Sequence, residues 1–233
     1  MFVLSPPRLA DYAASDRIGR LLADETQPGD EAFVSQRWLQ ESLPKRLMYE
    51  CIYGDLLGDD GPRRRILDVG GGFCALTRRL LARHDYTLVE ISAHDAATAL
   101  RAVERSVGRQ FWIEGDWWAQ AGGRPWDVVI ANDLFPNVDQ RLAMFLEKFL
   151  SLAGEIRLSL TYYDEPRFYF ARRVQGEEVL CVLAWTGQQT REVLECYLHR
   201  AVAFDGKIPT DAVSVFPNGR QVLIARLRGD VST

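Results

Sequence analysis

The chain has 233 residues and a net charge of −4, with 47% apolar and 26% charged residues. That balance fits one globular domain of ordinary size and excludes wholesale disorder and a coiled coil. Residues 1–60 carry 6 basic and 11 acidic side chains and the remainder is nearly neutral, so no segment has the basic excess of a nucleic-acid-binding surface.

The first residues, MFVLSPPRLADY, lack the basic start of a signal peptide. The longest apolar stretches, such as 179–185, are too short to cross a bilayer. A cytoplasmic protein is expected, with no membrane contact and with Cys51, Cys74, Cys181 and Cys196 reduced and mostly buried. His84, His94 and His199 show no ligand spacing, and no metal is expected. Helical spacing of Leu9, Tyr12, Ile18, Leu21 and Leu22 predicts a helix over 8–24, followed by helices over 31–39 and 44–57. Pro44 lies near the start of the third. The run GDDGP at 58–62 is a break. Residues 1–60 therefore read as an acidic N-terminal helical cap, with Tyr12 a candidate lid residue, ahead of a main domain over 61–233.

Beyond the break the pattern changes. Strands are predicted over 63–69, 86–90, 110–116, 126–133 and 154–163, and helices over 74–84, 93–107 and 138–152. Alternating elements with near-continuous apolar strands imply a mostly parallel α/β sheet with helices on both faces. The last third departs from that rhythm. Residues 167–173 and 177–185 read as a hairpin, within an insertion over 162–186 that follows the fifth strand. A helix is predicted over 186–200, and two final strands over 201–208 and 220–228, for seven strands in all.

The informative stretch is ILDVGGGFCA, residues 66–75, where a strand feeds a glycine turn and then a helix. Open α/β sheets bind ligands in the crevice beyond such strand ends. Two cofactors compete. Gly70, Gly72 and Ala75 satisfy the dinucleotide fingerprint, with Glu90 where a ribose-binding acid belongs. Asp68, two residues before the first glycine, decides against it: a carboxylate repels a pyrophosphate, but tolerates a cofactor with a sulfonium and an amino-acid tail. The loop also follows about 70 residues of chain, and no Tyr has a Lys four residues later.

Here the sequence resembles the class I S-adenosylmethionine-dependent methyltransferases, over roughly residues 63–160 and more loosely in the two final strands. ILDVGGG is similar to their first motif, with Gly71 inside the loop and Cys74 in place of the usual third glycine. The resemblance implies a Rossmann-like fold and S-adenosyl-L-methionine as cofactor. It assigns Asp68, Gly70, Gly71 and Gly72 to the cofactor loop, and Glu90, followed by Ile91 in VEIS, to the ribose. It assigns Asp116 and Trp117 of EGDWW to the adenine, and Asn132 to the exposed end of the fourth strand. Of Trp117 and Trp118, one is expected in the core, because neighbours on an extended segment point opposite ways.

Methyl transfer from a sulfonium is an in-line displacement in which most of the catalytic work is alignment. A hydroxyl or ammonium acceptor also needs a base. Asp133 is the first candidate, although it could equally cap the next helix. Tyr162, Tyr163 and Asp164 lie past the fifth strand, with Tyr163 taken as the second candidate. His199 is the weakest. The segment 162–170 concentrates five aromatics beside Arg167, Arg172 and Arg173. Such a pocket could accept a ring or sugar bearing an acidic group, or these residues could simply fill core and face solvent. The segment 133–136 does not match the NPPY-type motif of nucleic-acid methyltransferases. The expected function is methylation of a small molecule, with a hydroxyl of a sugar, glycan or secondary metabolite as the expected acceptor. A non-catalytic cofactor-binding partner subunit and an NAD-dependent oxidoreductase are the alternatives.

Overall fold

A computed structural model describes residues 1–233 except 92–94, 120–123, 173–178, 205–211 and 232–233. His94 and Arg173 fall outside the described residues, as does the side chain of Arg172. In chain order the elements begin with β1 (Phe2–Val3), α1 (Pro6–Ala13), α2 (Arg17–Glu25), α3 (Val34–Glu41) and α4 (Leu43–Tyr53). There follow β2 (Arg65–Val69), α5 (Ala75–Arg83), β3 (Asp85–Glu90), α6 (Ala97–Val107), β4 (Trp112–Glu114) and β5 (Trp126–Asn132). The last are α7 (Leu142–Leu150), β6 (Ala153–Tyr162), β7 (Arg167–Arg172), β8 (Val179–Ala184), α8 (Gly187–Glu195) and β9 (Gln221–Arg228).

One seven-stranded sheet has the order β1-β9-β6-β5-β2-β3-β4, and β7 with β8 forms a separate two-stranded sheet. The pairs from β4 through to β6 are parallel, while β9 runs antiparallel to both β6 and β1. Side chains alternate across the strands. Ile66, Leu88 and Val128 join one core with α1 to α6. Leu67, Val89 and Val129 join the other, with α7 and Leu194 of α8. Covering both faces is what makes these strands almost wholly apolar. The exception is β6. Its Ile156, Leu158 and Leu160 pack in the second core, whereas Arg157, Ser159 and Thr161 are buried polar groups on the opposite face.

Several boundaries differ from expectation. The helix expected over 8–24 is two helices, broken at Asp16, whose φ is 28° and whose carboxylate caps α2 by accepting from the Gly19 N–H at 3.2 Å. That turn buries Tyr12, whose hydroxyl accepts from the Ile18 N–H. Tyr12 is thus a core residue between helices, not a lid. The helix after β5 starts at Leu142 rather than 138. Of the strand expected over 201–208, Ala201 makes an isolated bridge to Leu227, and 205–208 lie outside the described residues. The place beside β9 is taken instead by the two residues of β1, so the sheet holds seven strands with a different member at its edge. Cys181 and Cys196 are exposed, against the expectation of mostly buried thiols; only Cys74 is fully buried. No described helix is long and apolar enough to cross a membrane.

Candidate active site

The glycine loop joins β2 to α5 over a buried carboxylate. Asp68 is 2% exposed. Its Oδ2 accepts from the hydroxyls of Tyr53 at 2.9 Å and Tyr86 at 2.7 Å, and its Oδ1 has no partner among the described residues. Burial pushes the carboxyl up to about 6, against the pull of the two tyrosine hydrogen bonds. A Cβ at Gly71 would lie 2.5 Å from Oδ1, so the orphaned oxygen is directly under the loop. Gly72 has φ 65°, and a Cβ there would overlap the Ser35 hydroxyl; only glycine fits both constraints. Cys74, where a glycine was expected, opens α5 by donating its N–H to Thr77 Oγ1 at 3.1 Å, and its Sγ packs against the Tyr49 hydroxyl.

Around this loop, the C-terminal ends of β2 to β5 and the helices α3 and α4 enclose a cleft of about 950 Å³. Gly70, Gly71, Gly72, Glu90, Ile91, Asp116, Trp117, Asn132, Asp133 and Tyr163 all line it. Asp68 does not: it acts from below the floor. Trp117 is the core member of its pair, packed edge-on against Phe135 and Phe145, with its indole N–H donated to Asp139 at 2.8 Å; Trp118 is 49% exposed. Asp116 pairs with Arg141 at 2.7 Å and accepts from the Trp118 N–H. The Arg141 hydrogen bonds hold its carboxyl below the usual range. Asn132 accepts from the Ser159 hydroxyl at 2.6 Å. Asp95, which sequence reasoning missed, ties the cleft together. Its carboxylate accepts from the Val34 N–H of α3 and, at 3.5 Å, from the Phe73 N–H of the loop.

Asp133 has a different environment from that of a base. Its carboxylate is 2.5 Å from Lys45 Nζ and 3.0 Å from Arg220 Nη1, and it accepts from Thr161 Oγ1 at 2.8 Å. Burial alone would raise it, but the two cations override burial and hold the carboxyl well below the ordinary carboxylate range. A carboxylate so stabilised takes a proton poorly at neutral pH. Nor does it cap α7, which starts nine residues later. Lys45 and Arg220 come from α4 and from the turn before β9, and no local sequence pattern links them to Asp133. The polar alternation of Arg157, Ser159 and Thr161 in an otherwise buried strand was the available signal.

The aromatic segment divides by strand alternation. Tyr162 is buried in the core, Phe168 and Phe170 are 70% and 76% exposed, and Tyr163 and Tyr169 line the cleft. Tyr169 donates to the side chain of Asn137, and burial pushes it up to about 12. Arg167 stacks on the Tyr163 ring at 3.7 Å and does not line the cleft. Among the described residues, the lining cations are Lys45, Arg141 and Arg220. Asp164 is exposed and His199 is remote from the cleft.

Solved structures of low sequence identity share this fold. The chain is similar to the 1,6-didemethyltoxoflavin-N1-methyltransferase of Burkholderia thailandensis, at 17% identity over 95% of this chain and 86% of that one, with a TM-score of 0.50. It is similar to DhpI in complex with S-adenosylhomocysteine, at 15% identity over 96% of both chains and a TM-score of 0.51. It is similar to the N-methyltransferase NodS of Bradyrhizobium japonicum, at 13% identity over 91% of this chain and 98% of that one, with a TM-score of 0.51. No protein-family model and no curated protein matches the sequence. The chain has the fold of the class I S-adenosylmethionine-dependent methyltransferases.

Proposed function

We propose that the protein is an S-adenosylmethionine-dependent methyltransferase acting on a small-molecule acceptor. The observation that carries this is the buried Asp68 carboxylate directly beneath Gly71, under the glycine loop that floors the cleft. It suits a cofactor bearing an ammonium and a sulfonium, and it opposes a pyrophosphate laid over the same loop, which argues against the dinucleotide reading. Gly70 to Gly72, over Asp68, would hold the amino-acid part, Glu90 the ribose, and Ile91, Asp116 and Trp117 the adenine, with Asn132 beside the reacting end. Two of the three proteins similar in fold carry methyltransferase names, and all three were solved with S-adenosylhomocysteine.

When bound, this cofactor supplies a methyl group on a sulfonium that departs as a neutral thioether. The protein's part is then alignment and exclusion of water. The wall formed by α3 and α4 closes one side of the cleft, and Tyr163 and Tyr169 close the other. At the acceptor end, the lining carboxylates among the described residues are Asp133, which is paired, and Glu41, which is exposed; no described histidine lines the cleft. Tyr163 lines the cleft, where its hydroxyl would orient an acceptor by a hydrogen bond. An acceptor hydroxyl more acidic than an alcohol, such as a phenol or enol, fits this end better than a sugar alcohol. Calorimetric titration with S-adenosylmethionine and S-adenosylhomocysteine, followed by labelled-methyl transfer to the small-molecule fraction of a cell extract, tests the reading. Binding of NADH and not of S-adenosylhomocysteine refutes it, and binding without transfer in any extract favours a non-catalytic subunit.

A further inference from the structure

We propose that Lys45 and Arg220 form a recognition site for an oxyanion, a carboxylate or phosphate carried by the acceptor, using the positive charge that Asp133 leaves unbalanced. The identity of the bound molecule as a methyl acceptor rests on the reading above; the anion site itself does not.

The argument is one of charge and donor counting. Two cations meet one carboxylate, and all three side chains are nearly withdrawn from water, at 16% exposure for Lys45, 9% for Arg220 and 14% for Asp133. The carboxylate is saturated. One oxygen accepts from Lys45 and Arg220, the other from Arg220, Thr161 and, at 3.4 Å, Asn137. The cations are not. The only side-chain hydrogen bonds of Arg220 among the described residues run from Nη1 to Asp133, leaving Nε and Nη2. An ammonium has three protons and a guanidinium five, so donors remain that Asp133 has no capacity to take. The surplus positive charge lies at the edge of the cleft, where a bound anion would offset the cost of its desolvation. Glu41, the other acid at this end, makes no ion pair with either cation among the described residues.

The surroundings indicate what the anion is attached to. Lys45 Nζ is 4.8 Å from the centre of the Trp38 ring and Arg220 is 4.0 Å from that of Phe216. Both rings line the cleft, as does Asn218, whose Oδ1 accepts from the Arg220 N–H and whose amide hydrogens remain as donors. An oxyanion on a flat apolar skeleton matches this set. Arg167, one of the arginines that the sequence suggested for the task, does not line the cleft, and two cations from opposite ends of the chain do.

The test uses the full-length chain, first titrated with S-adenosylhomocysteine and then, when loaded, with 4-hydroxybenzoate, phenyl phosphate and the uncharged 4-hydroxybenzamide. At least one of the two oxyanions should bind, and 4-hydroxybenzamide should bind on the order of tenfold more weakly or worse. Arg220→Gln and Lys45→Met should each weaken the oxyanion on the order of tenfold while leaving S-adenosylhomocysteine affinity unchanged. Asp133→Asn should tighten oxyanion binding, because it removes a like charge; a gain of affinity cannot come from misfolding. Equal binding of the charged and uncharged probes, no effect of either cation variant, weaker binding in Asp133→Asn, or failure of both oxyanions to bind at millimolar concentration overturns the proposal. If S-adenosylhomocysteine fails to bind while the oxyanion still binds through Lys45 and Arg220, the methyltransferase reading falls and the anion site stands.

Discussion

Replacing Asp68 by Asn should stabilise the protein at neutral pH and damage its cofactor site. The native carboxyl is raised from 3.8 to about 6, chiefly by burial. A shift of about two units corresponds to roughly 3 kcal/mol, at about 1.4 kcal/mol per unit. Because the folded state binds the proton more tightly than the unfolded state, this contribution is most favourable below pH 3.8. It declines as pH rises through 3.8 to about 6, and is fully lost above that. An Asn keeps an oxygen for the Tyr53 and Tyr86 hydroxyls but turns an amide N–H₂ toward Gly71, which returns part of the gain. The net stabilisation at pH 7.5 is therefore expected at about 1–2 kcal/mol. Urea unfolding followed by tryptophan fluorescence, on both proteins at about pH 4.5 and 7.5, measures it. Taking the difference between the two proteins cancels every other titrating group. If Asp68→Asn gains no stability relative to the native chain as pH rises, the buried charge is not the cost inferred here.

Glu90→Ala should weaken S-adenosylhomocysteine binding by about 1–3 kcal/mol through lost hydrogen bonds to the ribose, with little change in Tm, which calorimetry reads directly. Gly72→Ala should cost about 1–2 kcal/mol from its positive φ alone, plus the overlap with the Ser35 hydroxyl. Adding Ser35→Ala should recover only the overlap part in denaturant unfolding. Arg157→Met should destabilise by about 2–3 kcal/mol, because Arg157 is buried between Asp55 at 2.6 Å and Glu155 at 3.1 Å. Equal unfolding midpoints would show that this network carries no net energy.

Local rules exposed the frame of the fold and half of the cleft. The two positive-φ glycines, the acid beneath them and the acid ending the next strand lie within one strand–helix–strand unit; the glycines and Glu90 line the cleft, and Asp68 lies under its floor. What escaped is non-local. Asp133 read as a base because its two cations lie 88 and 87 residues away in the chain. Tyr12 read as a lid because the helix break at Asp16, although signalled by Ser15-Asp16, was overridden by an apolar period that ran through it. Phe2 and Val3 form too short a strand to stand out, and only β9 makes them one. The segment 162–170 showed its aromatic richness but not its partition, since the hairpin's pairing decides which rings face the cleft.

Helix α4 carries Lys45, Tyr49 and Tyr53 at intervals of four, and so along one face. Each reaches a different part of the machinery: Asp133, Cys74 at the end of the glycine loop, and Asp68. A single rigid element thus supports the acceptor end and the cofactor loop together. The N-terminal helices are accordingly not an interchangeable module. Grafting them from a relative to change substrate preference would disturb cofactor affinity in the same stroke, and selection for a new acceptor would be constrained to residues that leave the Tyr49–Tyr53 face intact.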